Sequence, residues 1–359
     1  MTMACTSCLR RARLLGLLSG HLDAVRAEIG DVLALEDREL IAAVGGRRQR
    51  QLKRCLARAG ATPMLRAARE AGLELICRCQ PGYPARLGQL AAAPAVLYVT
   101  GNLDRFLAMV AEDPVAIVGA RRASAYGLDV ARTLGRDLAA AGLTVVSGMA
   151  LGIDSAAQES ALAAGGAVIA VLPGPANDPY PRARRRLYRQ LVSAGVAISE
   201  LPPGTPVRRW TLVARNRIIA GLSAATVVVE AVAGSGALIT AEFARALRRP
   251  LGAVPGRITS PQALGTNGLL ADGARVVRGA QDALDALYGV GVRTVRSERR
   301  PDLGADSREV LRAVMDGRDT PDALAAADIA PGRALAALAW LELSGYVRRE
   351  PGGRFAVIP

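Results

Sequence analysis

The chain has 359 residues, of which 51% are hydrophobic but only 3% aromatic, and its formal net charge is +14. This length allows two or three domains with a sizeable core. So basic a chain usually contacts a polyanion or an anionic membrane face. A general preference for arginine is the alternative, and charge alone does not decide against it. Lys53 is the only lysine and His21 the only histidine, which excludes a P-loop ATPase and a central site with a histidine base or metal ligand.

The cysteines are Cys5, Cys8, Cys55, Cys77 and Cys79. Their odd number and irregular spacing argue against the disulfide framework of a secreted protein. The Cys5-x-x-Cys8 pair could bind zinc together with Cys77 and Cys79, but Cys-x-Cys is a poor zinc spacing and the intervening gap is long. We therefore interpret the thiols as reduced and non-functional, and we expect no metal and no cofactor.

The first 72 residues have the apolar spacing of short helices. Leu14, Leu17, Leu18 and Leu22 recur at helical intervals, which predicts an N-terminal helical domain over 1–72, like a SAM or helix-hairpin-helix domain. The apolar stretch at 14–18 is far shorter than the ~20 residues of a membrane-spanning helix and lacks the features of a signal peptide. We expect a cytoplasmic protein with no membrane partner.

Residues 73–290 are predicted to form an α/β domain. The predicted strands are 115–118, 144–146, 168–172, 196–198, 226–229, 251–254 and 275–277, and the predicted helices are about 126–141, 155–164, 182–194, 215–222, 237–248 and 280–288. Near-continuous apolar strands that alternate with helices are typical of a mostly parallel sheet with helices on both faces. Ligands of such sheets bind at the carboxyl ends of the strands.

The C-terminal part is predicted to hold a linker, 291–304, and a small domain, 305–359. The small domain has three predicted helices, the second beginning at Thr320-Pro321 and the third at Pro331, followed by a hairpin. This order is the pattern of a winged-helix domain. Arg333 is the only arginine in its third helix, so we expect contact with protein, or with DNA only weakly.

Glycine-bearing turns follow the central strands. The strand predicted at 115–118 is followed by Gly119, Arg121 and Arg122. Glycine there permits close approach of a ligand, and the arginines add positive charge. An ordinary turn with solvated arginines explains this stretch equally well.

The stretch from Ser147 to Asp154 is more specific. Gly148 and Gly152 would let a phosphate approach backbone N–H groups beside the start of a helix. Asp154 is predicted to cap that helix rather than to act in catalysis.

Arg215, Asn216 and Arg217 place cationic and amide groups beside an apolar segment. We expect that both arginines cannot point into the core, because a buried guanidinium without a partner is too costly. Since acids are scarce nearby, a salt-bridged surface helix is the poorer interpretation, and we expect the arginines to bind phosphate oxygens.

Ser235 and Gly236 form a further turn into a helix and could hold a second phosphate. Several phosphate-binding turns at one sheet edge suit a polymer better than a mononucleotide. Binding of single strands would also need aromatic side chains on which bases stack. The candidates, most of which we expect in the core, are Tyr126, Tyr180, Tyr188, Trp210 and Phe243.

In this order, the motifs resemble those of the DNA-processing protein A family (DprA, also called Smf), over roughly residues 80–280. The resemblance implies a Rossmann-like core that binds single-stranded DNA and has no established catalytic reaction. It also implies a homodimer, and loading of the RecA recombinase onto incoming strands during natural transformation. The residues that match the family's DNA-facing motifs are Gly119, Arg121, Arg122, Ser147, Gly148, Gly152, Arg215, Asn216, Arg217, Ser235 and Gly236.

An enzyme is the alternative hypothesis. Gly234-Ser235-Gly236, with Thr240 and Glu242 after it, faintly resembles nucleoside-monophosphate phosphoribohydrolases, in which arginine holds phosphate and glutamate assists glycosidic cleavage. Glu242 would lie about one and a half turns into a helix, which favours a surface position, so we expect no enzyme. A non-catalytic protein scaffold would leave the arginine and glycine motifs unexplained.

Overall fold

The computed structural model describes residues 4–294 and 303–358. These two ranges belong to two separate compact units. Most of the predicted linker, 291–304, lies outside the described residues. The predicted boundary between residues 72 and 73 falls in the turn between an N-terminal helix and the first strand.

The larger unit is built around one mixed sheet. Its strands are β1 (Glu74–Cys77), β2 (Val96–Thr100), β3 (Val115–Val118), β4 (Val145–Ser147), β5 (Val168–Val171), β6 (Val196–Ser199), β7 (Ala225–Val228), β8 (Leu251–Ala253) and β9 (Arg275–Val276). They lie in the order β1-β2-β6-β5-β4-β3-β7-β8-β9. All pairs from β3 to β9 are parallel, whereas β2 is antiparallel to both β1 and β6. The predicted mostly parallel α/β sheet is therefore confirmed, with an antiparallel edge that was not predicted.

Helices cover both faces of the sheet. They are α6 (Ala85–Gly88), α7 (Leu103–Ala111), α8 (Ala125–Ala140), α9 (Ile153–Ala163), α10 (Arg185–Ala194), α11 (Arg209–Leu222), α12 (Gly236–Ala246), α13 (Leu264–Ala271) and α14 (Ala280–Tyr288). Apolar residues of α8, α9, α10 and α14 pack on one face, and those of α7, α11, α12 and α13 on the other. This double cover explains why β3 and β5 are apolar and buried at every position.

The first four N-terminal helices share a hydrophobic cluster with α11, and the fifth packs beside β1. These N-terminal helices are α1 (Thr6–Leu22), α2 (Ile29–Ala34), α3 (Asp37–Val44), α4 (Gln49–Ala57) and α5 (Ala61–Glu70). Leu18 and Leu40 share a hydrophobic cluster with Trp210 of α11. The fully buried Trp210 donates from Nε1 to Oγ of Ser19 at 3.1 Å, and its backbone N–H donates to Oδ1 of Asp23 at 2.9 Å. Since the first N–H groups of a helix lack intrahelical acceptors, Asp23 stabilises the start of α11.

The order in which successive strands are added to the sheet reverses at β3. From β3 the chain runs through β4, β5 and β6 on one side, and then returns to β7, β8 and β9 on the other. The connection after β3 leads to α8 on one face of the sheet, and the connection after β7 leads to α12 on the opposite face. The two connections diverge and leave a crevice at the carboxyl ends of β3 and β7, the switch point at which such sheets bind ligands.

The smaller unit contains α15 (Ala305–Met315), α16 (Pro321–Ala325), α17 (Pro331–Leu343), β10 (Val347–Glu350) and β11 (Arg354–Val357). The two strands form an antiparallel hairpin, so the predicted order of three helices and a hairpin is confirmed. Thr320 caps α16 by accepting a hydrogen bond from the N–H of Ala323 at 3.1 Å.

Among the described residues, no helix has the length and apolar character needed to cross a membrane.

Candidate anion-binding site at the switch point of the sheet

A cavity of about 640 Å³ lies at the switch point. The turn after β3, the loop after β4, the middle of α11 and the segment from β7 into α12 contribute its lining. The predicted site residues that line it are Gly119, Arg121, Arg122, Arg215, Asn216, Ser235 and Gly236. Ser147, Gly148, Gly152 and Arg217 are not in its lining. The fold thus brings together four segments that are far apart in the sequence.

Arg215 is the buried cation of this cavity, with 7% of its surface exposed. Its Nη2 lies 3.8 Å from Oδ2 of Asp154, and its Nη1 donates a long hydrogen bond of 3.4 Å to the carbonyl of Val171. Its Nε has no hydrogen-bond partner among the described residues. Burial lowers the pKa of Arg215, and the Asp154 carboxylate opposes this effect. The guanidinium is only partly compensated, so it retains donors for an anion.

Gly148 and Gly152 shape the site rather than line it. A Cβ atom at Gly148 would overlap the Arg215 guanidinium, so only glycine leaves room for that side chain. Gly152 has a φ of 80°, and a Cβ atom there would lie 2.2 Å from the carbonyl oxygen of Ala120. Ser147 is also internal, since its Oγ donates to the carbonyl of Ile117 at 2.6 Å. The expected direct approach of phosphate to these residues stays a prediction.

Asp154 does not cap the helix as predicted. Gly152 is the N-cap of α9, and Asp154 lies within its first turn. Its Oδ2 accepts hydrogen bonds from the N–H groups of Gly148 at 3.1 Å and Ala150 at 3.4 Å, so it holds the preceding loop in place. Burial raises the pKa of Asp154, while Arg215 and the loop amides act in the opposite direction.

Arg217 lies elsewhere, and the expectation that both arginines cannot be buried was wrong. Only 2% of Arg217 is exposed, and its two terminal nitrogens bind Glu200 at 2.7 and 2.6 Å. Its Nε also donates to the carbonyl of Ala92 at 3.0 Å. The physical reason is that Glu200, just past the end of β6, neutralises the guanidinium inside the protein. No spacing in the sequence indicated this pair.

The turn after β3 carries the exposed charge of the site. Arg121 and Arg122 are exposed and line the cavity. A carboxylate that the sequence analysis missed anchors this turn: Glu230, two residues past β7, accepts hydrogen bonds from the N–H of Ser124 at 2.9 Å and from its Oγ at 2.5 Å. The acidic residue directly after an apolar strand was the available signal.

The start of α12 supplies hydrogen-bond donors. Ser235 is its N-cap, yet its hydroxyl makes no capping bond and has no hydrogen-bond partner among the described residues. Asn216 donates from Nδ2 to the carbonyl of Gly236 at 3.0 Å, which fixes this helix start against α11. The N-terminus of a helix of this length attracts anions through its free N–H groups and its dipole.

These features suit binding of an anion better than catalysis on one. The cavity combines two exposed arginines, one buried arginine, a free hydroxyl and a helix N-terminus. Glu242, which the hydrolase hypothesis requires, is exposed and is not in the cavity lining. Among the described residues that line the cavity, Asp154 is the only acid, and it already contacts loop amides and Arg215. The geometry therefore does not support the hydrolase alternative.

Comparison with known proteins identifies relatives across most of the chain. The family described as DNA recombination-mediator protein A matches residues 74–288. A putative DNA processing protein DprA from Mycobacterium tuberculosis is 38% identical over 280 residues, which cover 76% of this chain and 71% of the relative. Protein Smf of Escherichia coli is 34% identical over 280 residues, covering 76% and 74% of the two chains.

Solved structures give the same result for the fold. DNA processing protein A from Streptococcus pneumoniae superposes with a TM-score of 0.64 at 28% identity, covering 79% of this chain and 98% of that chain. DNA processing protein A from Helicobacter pylori superposes with a TM-score of 0.54 at 28% identity, covering 60% and 97%. The latter structure was described for its single-stranded DNA binding mode.

Proposed function

This chain belongs to the DNA recombination-mediator protein A family, and from that premise we propose that it is a DNA-processing protein whose switch-point cavity binds single-stranded DNA. One observation carries the proposal. The Nε of Arg215 and the Oγ of Ser235 are buried, lack hydrogen-bond partners among the described residues, and belong to residues that line the same cavity. Since buried polar groups in proteins are normally paired, two such groups in one cavity favour a polar ligand.

The distribution of charge favours a phosphodiester chain over a single nucleotide. Arg215 is buried, whereas Arg121 and Arg122 are exposed, so cationic groups extend from inside the cavity to the surface. A strand that places one phosphate against Arg215 and Ser235 would pass its neighbouring phosphates along the two exposed arginines. The single-stranded DNA described for the Helicobacter pylori relative is the polymer that this layout suits.

Tyr126 offers a surface for base stacking. It lies at the start of α8, is 48% exposed, and its hydroxyl donates to the carbonyl of Pro255 at 3.3 Å. Stacking selects unpaired bases, because a duplex does not expose their faces. Trp210, another candidate, is fully buried and cannot stack on a base.

The predicted residues outside the cavity lining take a supporting role in this proposal. Ser147, Gly148 and Gly152 shape the loop after β4 so that Arg215 fits beneath it. Arg217 fixes the position of α11 through Glu200. A direct contact of Arg217 with DNA would require the loss of this buried ion pair.

Family membership supports further proposals about partners. We infer that the protein acts as a homodimer without a catalytic reaction, in the cytoplasm, and loads the RecA recombinase onto single strands during natural transformation. Residues 1–72 would then serve as an accessory helical domain and residues 73–290 as the DNA-binding domain. The helices and hairpin of the C-terminal unit would form a winged helix that contacts protein, since Arg333 in α17 pairs with Asp306.

The test is equilibrium binding of labelled oligo-dT and of a duplex of equal length across a salt series. We expect tight binding of the single strand, weaker binding of the duplex, and a logarithmic salt slope of about −0.7 for each phosphate contact. Arg121→Ala should make this slope shallower by about 0.7, because an exposed phosphate contact is lost. Equal affinity for both DNAs, or no binding at low salt, would refute the proposal.

A further inference from the structure

The thiols of the N-terminal segment meet those that follow β1. Cys5 is the N-cap of α1, Cys8 lies in its first turn, and Cys79 lies just past the end of β1. The Sγ atoms of these three cysteines lie within 4.8 Å of one another, and those of Cys8 and Cys79 are 3.6 Å apart. Within residues 4–294 and 303–358, this is the only group of three or more potential metal-ligating side chains of this kind.

A fourth thiol, that of Cys77, lies beside this group, although its Sγ is not among the three that lie within 4.8 Å of one another. Cys77 is fully buried at the end of β1, and its Sγ accepts a hydrogen bond from the backbone N–H of Cys5 at 3.4 Å. Ser7 lies beside Cys5, with 3.2 Å between its Oγ and the Cys5 sulfur. Hydrogen-bond donors and a helix N-terminus both stabilise the thiolate form, which is the form that binds metals.

The distance between the sulfurs of Cys8 and Cys79 favours a single thiophilic ion. A tetrahedral zinc ion with Zn–S bonds of about 2.3 Å holds its sulfurs about 3.8 Å apart, close to the 3.6 Å between Cys8 and Cys79. A disulfide would require about 2.05 Å. An iron–sulfur cluster places several iron atoms between its thiolates, and therefore needs a wider arrangement.

We propose that Cys5, Cys8 and Cys79 bind one zinc ion, with the neighbouring Cys77 as its fourth ligand, and that this ion fastens the start of α1 to the end of β1. The long gap in the sequence, which argued against a zinc site, is closed by the fold. Cys8 and Cys79 are 71 residues apart along the chain, so the ion would enclose all of α1 to α5 in one loop. The interpretation of these four thiols as non-functional is replaced by a structural role.

The first experiment measures the metal content of the full-length protein, purified without chelators from cells grown with added zinc. We expect about one zinc per chain in the wild type, and loss of zinc in Cys8→Ser and in Cys79→Ser. Cys55→Ser is the matched control, because Cys55 lies on α4 and is the one cysteine that is not a proposed ligand. It should retain full zinc content.

A second measurement does not depend on how well the variants fold. Removal of zinc from the wild-type protein by a strong chelator should lower its melting temperature, and added zinc should restore it, because binding to the folded state stabilises it. Cobalt(II) added to the metal-free protein should give the intense charge-transfer and tetrahedral bands of a thiolate site. Cys77→Ser should weaken these bands.

Several results would overturn the proposal. One is a wild-type protein that contains no zinc and has five free thiols after denaturation, and another is a wild-type protein that contains iron. A Cys8–Cys79 disulfide in a non-reducing peptide map would show that the close pair is redox-active instead. A Cys77→Ser variant with the cobalt spectrum of the wild type would remove Cys77 from the ligand set.

Discussion

The guanidinium of Arg215 occupies the space that a side chain at Gly148 would fill, since a Cβ atom there would lie 0.9 Å from Nη1 of Arg215. The glycine in the loop after β4 and the arginine on α11 therefore depend on each other for space. A cation can lie beneath this loop only where the loop has no side chain.

Gly148→Ala should displace Arg215 and weaken binding of oligo-dT about as much as Arg215→Ala does. One lost charge-assisted hydrogen bond corresponds to about 1.5–3 kcal/mol, or roughly 10-fold or more in affinity. Fluorescence anisotropy of both variants would measure this. Gly20→Ala is the control, because a Cβ atom there meets nothing within 4 Å. Wild-type affinity in Gly148→Ala would show that Arg215 does not bind the strand.

Arg217→Ala should destabilise the protein by about 3–5 kcal/mol, because it leaves the buried carboxylate of Glu200 without its partner. Arg215→Ala should cost much less, since the Asp154 contact at 3.8 Å is long. Urea unfolding followed by circular dichroism would rank the two variants. A more stable Arg217→Ala than Arg215→Ala would contradict the assignment of a structural role to Arg217.

Asp154→Asn should change how stability depends on pH. Burial raises the pKa of the folded-state carboxyl above its ordinary value of 3.8. Protonation of Asp154 therefore favours the folded state. Its contribution to the free energy of unfolding is complete below pH 3.8 and is lost as the pH rises through the folded-state pKa. The unfolding free energy of the wild type relative to Asp154→Asn should thus fall with rising pH across that window.

Urea unfolding of both proteins at a series of pH values would measure this difference. Asp272→Asn, which removes a carboxylate at an exposed position, is the matched control. Asp154→Asn should also bind oligo-dT more tightly at neutral pH, because the cavity loses a negative charge. Weaker binding by this variant would mean that Asp154 is needed as a carboxylate.

Tyr126→Ala should weaken binding of oligo-dT by about 1–3 kcal/mol if a base stacks on the ring. Tyr126→Phe is the matched control, since it keeps the ring and removes only the hydroxyl that contacts the carbonyl of Pro255. Titration of both variants with the same oligonucleotide would separate stacking from hydrogen bonding. Equal losses in the two variants would point to the hydroxyl.

The spacing of apolar residues along the chain predicted several strands and helices of the α/β domain well. The strand predicted at 115–118 coincides with β3, and the predicted helix at 280–288 coincides with α14. In both, the apolar spacing is set by burial against neighbouring elements, which the sequence displays directly. The helix predicted at 215–222 begins instead at Arg209, because Trp210 is buried against the N-terminal helices and continues the helix toward its start.

Pairing between distant residues was not predictable. Glu200 neutralises Arg217 across a separation of 17 residues, and only the packing of α11 beside β6 brings the two together. The same holds for Cys8 and Cys79, whose distance depends on how α1 lies against β1. The family resemblance supplied candidate site residues, but it did not distinguish those that line the cavity from those that lie outside its lining.

The hydrogen bond from the backbone of Trp210 to Asp23 joins residues 187 positions apart and lies at the start of the helix that carries Arg215. The N-terminal segment is therefore not a freely exchangeable module. In a chimera that takes residues 1–72 from a relative, α11 keeps its first turn only if the donor supplies an acceptor in place of Asp23 and a polar partner for the Trp210 indole. A replacement of residues 1–72 in this chain thus has to preserve both partners of Trp210.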